Sequence, residues 1–241
     1  MSGPLYFVTP AWGRYEIVAI CLEQRQRVIT ELESQGIEAK CVVIADDDNL
    51  DIARSLGFET VERDNKMVGR KFNDGMEFAG KNGAEWIVPI GSDSWIDPRY
   101  FLNPTRTVLT RTSEAYCSVT KDVLAELWVS PQRLAHSAGP YVFHRSLLEK
   151  SGFRPSEENS VMVDTSTISG IENSGGRIRW RPFTIHPFQY VGFRVAPMMT
   201  THYSLVRRWG RAQHDPWEIL GRHYPADLVQ RAKEVMQHEP G

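Results

Sequence analysis

The sequence predicts an α/β protein: a mostly parallel central sheet flanked by helices, with a basic helical C-terminal segment. Three observations predict it. Short apolar runs alternate with stretches of helical periodicity over the first 110 residues, as βαβ units require. At 241 residues and 41% hydrophobic side chains, the chain can bury the core of one large domain. Charge is also uneven. Residues 175–241 carry 10 Lys and Arg against 5 Asp and Glu, a local +5, so the net charge of -2 conceals a first part at -7.

Leu5-Tyr6-Phe7-Val8 reads as a buried strand that stops at Thr9-Pro10, because proline cannot extend a central strand. From Arg14 to Gln35, Ile17, Val18, Cys21, Leu22, Val28 and Leu32 recur at helical spacing, and Gly36 supplies the stop. Lys40–Ala45 is a second strand, broken by the acidic run Asp46-Asp47-Asp48-Asn49. A short helix over Leu50–Leu56, a strand around Phe58–Glu62 and a helix over Gly69–Gly80 follow. Glu85–Ile90 is a strand that runs into Gly91-Ser92-Asp93-Ser94-Trp95.

Beyond Tyr116 the periodicity weakens. Residues 121–138 read as a loop or short helix, Gly139–Phe143 as a strand, and His144–Gly152 as a helix that His144 caps. Asp164–Gly175 is a further helix, Arg177–Pro182 alternates like an exposed strand, and Ser204–His238 is amphipathic and helical with interruptions.

Composition excludes several classes. With 24% charged and 10% aromatic residues, the chain is neither disordered nor fibrous. No stretch reaches the roughly 18 apolar residues of a membrane helix, and Met1-Ser2-Gly3-Pro4 lacks a signal-peptide pattern. Cys21, Cys41 and Cys117 are odd in number and form no Cys-x-x-Cys pair, which disfavours a disulfide framework or structural zinc and fits the reducing cytoplasm. The glycine motifs of dinucleotide oxidoreductases, P-loop NTPases and α/β serine hydrolases are absent.

In parallel sheets, ligands bind beyond the carboxyl ends of the strands. Here those ends carry the polar clusters Thr9–Arg14, Asp46–Asn49 and Gly91–Ser94. Asp46 and Asp47 can accept hydrogen bonds from a nucleobase N–H or ribose hydroxyls, or can bond their own backbone in a turn. Thr9, Pro10 and Arg14 either flank a base or, for Arg14, simply start the helix. Arg70 and Lys71 either offset phosphate charge or are solvated cations in a helix's first turn. Trp95, Tyr141 and Trp180 fit either stacking on a ligand or core packing.

These segments resemble, in order, those of family 2 glycosyltransferases with the GT-A (Rossmann-like) fold. Val42–Asp51 is similar to the strand-end Asp-Asp-Gly-Ser-x-Asp stretch, and Asn65–Ala79, with Gly69, Asn73, Gly75 and Ala79, to the Asn-x-Gly … Asn-x-Gly-x-x-x-Ala stretch. Ile90–Pro98 resembles the Asp-x-Asp segment, and Gly139–Gly152 with Asp164 and Gly175–Ile178 resembles the acceptor half. The likeness spans roughly residues 4–185. It implies residues 1–186 as the transferase domain, with 1–110 the nucleotide-binding half and 111–186 the acceptor half. Residues 187–241 would be a lid or acceptor-binding element.

The resemblance implies transfer of a sugar from a nucleotide-diphosphate sugar, UDP-sugar foremost, to an acceptor hydroxyl with inversion. Asp46 and Asp47 would read the nucleoside, and Arg70 and Lys71 would lie near the diphosphate. Asp93, with Ser92, would hold Mn2+ or Mg2+ and diphosphate, and Asp164 would be the general base. Asp164 is equally a natural helix N-cap. The chain departs from the pattern at Gly91, which replaces the first aspartate, at Ser94, and at Val163, which replaces an acid. His186 is the candidate to complete a metal shell, and His202 a weaker one.

Arg177, Arg179, Arg181, Arg194, Arg207, Arg208, Arg211 and Arg222, interleaved with Trp209, His214, Trp217, His223 and Tyr224, suit a nucleic acid strand, a lid over diphosphate or a solvated surface. The acceptor is therefore left open between a saccharide, a small molecule and a hydroxylated DNA base in a phage setting. A non-catalytic nucleotide or nucleic-acid module is the alternative from another class. A sugar-phosphate nucleotidyltransferase would need a glycine-rich arginine loop, which Thr9–Arg14 matches poorly.

Overall fold

The computed structural model describes residues 3–101, 116–120, 126–130, 141–158, 163–176, 190–194 and 216–238. The alternation expected of buried strands organises its centre. In β1 (Leu5–Pro10) and β2 (Ala39–Ala45), Leu5, Phe7, Cys41 and Val43 enter one core cluster. Their neighbours Tyr6, Val8, Val42 and Ile44 enter another on the opposite face. A strand apolar on both faces needs a cover on both, which is the environment of a parallel sheet between helices.

The chain supplies that cover. α1 (Tyr15–Ser34) and α2 (Asn49–Ser55) bring Val18, Leu22, Leu32, Leu50 and Ala53 to the first face. On the second face, α3 (Val68–Lys81) lies so close that a Cβ on Gly75 would stand 2.4 Å from Val8 Cγ1 and 2.5 Å from Ile44 Cδ1. Only glycine permits that approach. β3 (Glu59–Glu62) and β4 (Trp86–Pro89) complete the parallel part, and β8 (Phe143–His144) adds an antiparallel edge, in the order β3-β2-β1-β4-β8. The order reverses beside β1, so the crevice between the carboxyl ends of β1 and β4 is the switch point where ligands of such sheets bind.

A second sheet has the order β5-β9-β6-β7, from β5 (Ser94–Ile96), β6 (Tyr116–Thr120), β7 (Glu126–Ser130) and β9 (Tyr190–Arg194). β7 corrects the expected loop or short helix over 121–138: Leu127-Trp128-Val129 pairs in register with β6. β5 and β9 also arise where no strand was expected, because each is short and held by pairing with a distant segment.

The helix expected over His144–Gly152 is shorter, α4 (Arg145–Leu148) and one 3-10 turn to Ser151. His144 does cap it, accepting a hydrogen bond from Ser146 N. α5 (Val163–Asn173) starts one residue early, so Asp164 lies inside its first turn rather than at its N-cap. A Cβ on Gly170 would meet Pro155 O at 1.9 Å, which shows how tightly α5 packs on the preceding segment. Arg177–Pro182 lies outside the described residues.

The outer side of α1 carries a third cluster. Ile17, Ile20 and Cys21 meet Trp95, Val191 and Phe193, together with Trp217, Leu220, Leu228 and Met236 of α6 (Pro216–Leu220) and α7 (Ala226–His238). Trp95 is therefore core, as is Tyr141, and Trp180 lies outside the described residues. Among the described residues, no helix is long and apolar enough to cross a membrane.

Candidate functional site

Because β1, β2 and β4 run parallel and in register, the segments following Pro10, Ala45 and Pro89 emerge on one edge. The turn after β1 joins the other two. Gly13 N donates to Asp47 Oδ2 at 3.0 Å, and the next residue, Arg14, donates from Nη1 to Asp93 Oδ2 at 3.0 Å. Gly13 and Arg14 both have positive φ, 53° and 47°. For arginine this left-handed backbone costs about 1 kcal/mol or more, the kind of strain that accumulates at functional sites. Here it turns the guanidinium across the switch point.

Asp47 makes the turn foreseen as its structural reading. Its Oδ1 accepts from Asn49 N at 3.1 Å and from Asn49 Nδ2 at 2.8 Å, an Asx turn that leads into α2. Asn49 Nδ2 also reaches Gly13 O at 3.2 Å, so the ends of β1 and β2 are tied twice. Asp46 is exposed and accepts from Asn65 N at 3.1 Å and from the Asn65 side chain.

Lys71, only 2% exposed, donates to Ala11 O at 2.6 Å and to the Asn65 side chain. Burial pushes its ammonium pKa down, while Asp46, Asp47 and Asp64 pull it back up. Lys71 thus braces the β1 end from beneath, and Arg70 sits half-buried beside it in the first turn of α3. Thr9 and Pro10 are buried within the strand, with Thr9 Oγ1 3.8 Å from Cys41 Sγ, so neither side chain opens onto the edge.

Asp93 is buried and held from several sides. Ser94 Oγ donates to its Oδ1 at 3.2 Å, and Phe193 N to its carbonyl at 2.7 Å. A Cβ on Gly91 would stand 2.7 Å from Asp93 Oδ1, so glycine is what lets the carboxylate fold back over this turn. α1 fixes the following strand: Gln24 Nε2 donates to Ile96 O at 2.8 Å, and Arg25 Nη2 to Ser94 O at 3.0 Å. Ser92 is buried in the same turn.

The segment leading into α5 is connected through α3. Asn73 Nδ2 donates to Ser156 O at 2.8 Å, Ser156 N returns a bond to Asn73 Oδ1 at 2.9 Å, and Ser156 Oγ lies 2.5 Å from Thr167 Oγ1 in α5. Asp164 stands one turn before Thr167 in that helix. The Asp164 side chain, His186 and His202 lie outside the described residues.

The residues that sequence reasoning missed are the linkers: Gly13 through its N–H, Asn49, Asn65, and the rim aromatics Trp12 and Tyr15, 49% and 42% exposed. Desolvation and the carboxylates Asp47, Asp48 and Asp46 raise the Tyr15 pKa. The available signal was a tryptophan in a loop directly after a strand.

A divalent cation held by protein needs several hard oxygen ligands. Among the described residues no group of three or more His, Cys, Asp or Glu side chains could hold one. The described carboxylate of the expected metal set, Asp93, is already engaged by Arg14 and Ser94. The described part of this donor set does not by itself fit a resident metal ion.

Two of the described tail cations are engaged with acids. Arg222 pairs with Glu218 and Arg231 with Glu23, while Asp227 pairs with Arg27 of α1. Arg207, Arg208, Trp209, Arg211 and His214 lie outside the described residues.

No protein-family model matches the sequence, and no curated protein matches it. Solved structures do match. The mannosyltransferase PcManGT from Pyrobaculum calidifontis, in complex with GDP-Man and Mn2+, is 15% identical with a TM-score of 0.52, over 98% of this chain and 70% of that one. The 4-diphosphocytidyl-2C-methyl-D-erythritol synthase from Anaerococcus prevotii DSM 20548 is 12% identical with a TM-score of 0.46, over 98% of both chains. The strand order and the first of these likenesses define a GT-A-like α/β fold.

Proposed function

We propose that this chain is a glycosyltransferase that moves a sugar from a nucleotide-diphosphate sugar, UDP-sugar foremost, to an acceptor hydroxyl. One observation carries the reading. The turn Gly13-Arg14 joins the carboxylate at the end of β2 to the carboxylate at the end of β4, across the switch point of the sheet. Dinucleotide and P-loop proteins place glycine-rich phosphate cradles at this location; here acids and one arginine occupy it.

In this reading Asp46 and Asp47 accept hydrogen bonds from the nucleoside. Asp46 is exposed, and Asp47 Oδ2, which accepts one bond from Gly13 N, retains a second lone pair, whereas Oδ1 is filled by Asn49. Trp12 and Tyr15 offer aromatic surface to the base at the rim. Arg14, with the half-buried Arg70 near the start of α3, faces the diphosphate, while the buried Lys71 supports the turn from beneath. The acceptor oxygen bonds to the anomeric carbon as the bond from that carbon to the diphosphate oxygen breaks. The electron pair leaves with the nucleoside diphosphate, and the acceptor proton passes to Asp164, with inversion at the carbon. The fold of the mannosyltransferase, seen with GDP-Man, supports a nucleotide sugar as the donor class.

The test is release of nucleoside diphosphate from UDP-, GDP- and ADP-sugars by the purified protein. Slow donor hydrolysis without acceptor is expected from at least one donor. Binding with no release under any condition would instead identify a non-catalytic nucleotide-binding module.

A further inference from the structure

The ion pair between Arg14 and Asp93 assigns a role that the donor reading alone leaves open. In a sugar-nucleotide site, something positive must offset the charge of the departing diphosphate. The side chain expected to recruit a metal ion for that purpose is Asp93. Its Oδ2 receives Arg14 Nη1 at 3.0 Å, and its Oδ1 receives Ser94 Oγ at 3.2 Å. Both partners are largely enclosed, with side-chain exposures of 17% for Arg14 and 8% for Asp93. A second carboxylate could not be inserted at residue 91 without moving Asp93, since a Cβ there meets Oδ1 at 2.7 Å.

The guanidinium is also incompletely used. A guanidinium offers five N–H donors in a fixed plane that matches phosphate oxygens. Asp93 takes one from Nη1, and Nε is buried without a hydrogen-bond partner among the described residues. The strained backbone at Arg14, φ 47° and ψ 44°, persists at the mouth of the switch point and aims the fork there.

We propose that Arg14 is the resident cation of the donor site: its guanidinium binds the diphosphate directly, Asp93 orients it, and nucleoside diphosphates bind this protein without a divalent metal. The proposal rests on the donor reading above and makes Asp93 a positioning residue rather than a metal ligand. During transfer Arg14 meets the negative charge that builds on the leaving diphosphate oxygen. It acts by hydrogen bonding alone and takes no part in the proton transfer.

Titration calorimetry with UDP, GDP, ADP and CDP on the full chain tests this, each in EDTA and in Mn2+. The expected result is a nucleoside diphosphate that binds in EDTA with an affinity within about threefold of that in Mn2+, a difference too small for a bridging cation. Arg14→Gln then weakens binding in EDTA by about tenfold or more, the worth of one charge-assisted hydrogen bond, and Arg14→Lys recovers part of it. Binding confined to Mn2+, or unchanged affinity in folded Arg14→Gln, overturns the role of Arg14 and leaves the donor reading standing. Absence of binding in both media, for every nucleotide, removes the donor reading and this inference with it. The wild-type comparison of EDTA with Mn2+ decides the matter even if the glutamine variant does not fold.

Discussion

Asn73 and Ser156 hydrogen-bond each other twice, side-chain amide to backbone in both directions, at 2.8 and 2.9 Å. This buried exchange is the junction between α3, which braces the end of β1 through Lys71, and the segment on which α5 and Asp164 rest. Asn73→Ala leaves a buried N–H and a buried C=O without partners, and we expect a loss of about 2 kcal/mol of stability. Urea unfolding measures it. A residual structural tie without Asn73 would show as a loss under about 0.5 kcal/mol.

Asp93→Asn removes the charge that compensates Arg14. Because the pair is mostly enclosed, stability should fall by about 3 kcal/mol, the low end for breaking a buried ion pair. The double variant Arg14→Met/Asp93→Asn should recover part of that loss, since no charge is then stranded. Denaturant midpoints of the wild type, both single variants and the double variant close the cycle.

Asp164→Asn should leave donor affinity unchanged and lower turnover by about a thousandfold, the middle of the range for a general base. Initial rates at saturating donor and acceptor measure it, together with calorimetric affinity for the nucleoside diphosphate. Unaltered turnover would move the base to another residue.

Burial pushes the Cys41 thiol up to about 11, and the Cys21 thiol is raised for the same reason. A thiol whose folded pKa exceeds its unfolded value of 9.0 stabilises the fold fully below about pH 9, and that stability is lost as pH rises toward about 11. Stability should therefore decline across this alkaline window. At pH 8 both thiols should resist alkylation until the chain is unfolded, and mass spectrometry of iodoacetamide adducts with and without urea reports it.

Much of this architecture is legible in the sequence, for identifiable reasons. The strands at Leu5, Lys40 and Glu85 and the helix through Val18, Leu22 and Leu32 show because both faces of the sheet are buried and each element keeps its own period. β5, β7 and β9 do not show. Three to five residues hold no period, and β5 and β9 pair with segments tens of residues away, while β7 is fixed by its hairpin partner β6. Gln24 and Arg25 look like surface residues of α1, yet they hold the backbone of β5. At the site, residue type pointed to the strand-end acids, but their partners were invisible: Arg14 and Asp93 are 79 residues apart, and only the parallel register brings them together.

The edge formed by Asp46, Asp47 and Arg14 is the proposed seat of a nucleotide-diphosphate sugar. Thermal unfolding of the wild-type protein against millimolar UDP-, GDP-, ADP- and CDP-linked sugars measures that directly, since a ligand at about 100 times its Kd adds about 2.7 kcal/mol to the folded state. A clear rise in Tm is expected with at least one donor, reproduced by its nucleoside diphosphate and absent with the free sugar. A flat response to every nucleotide, with and without divalent metal, would contradict it.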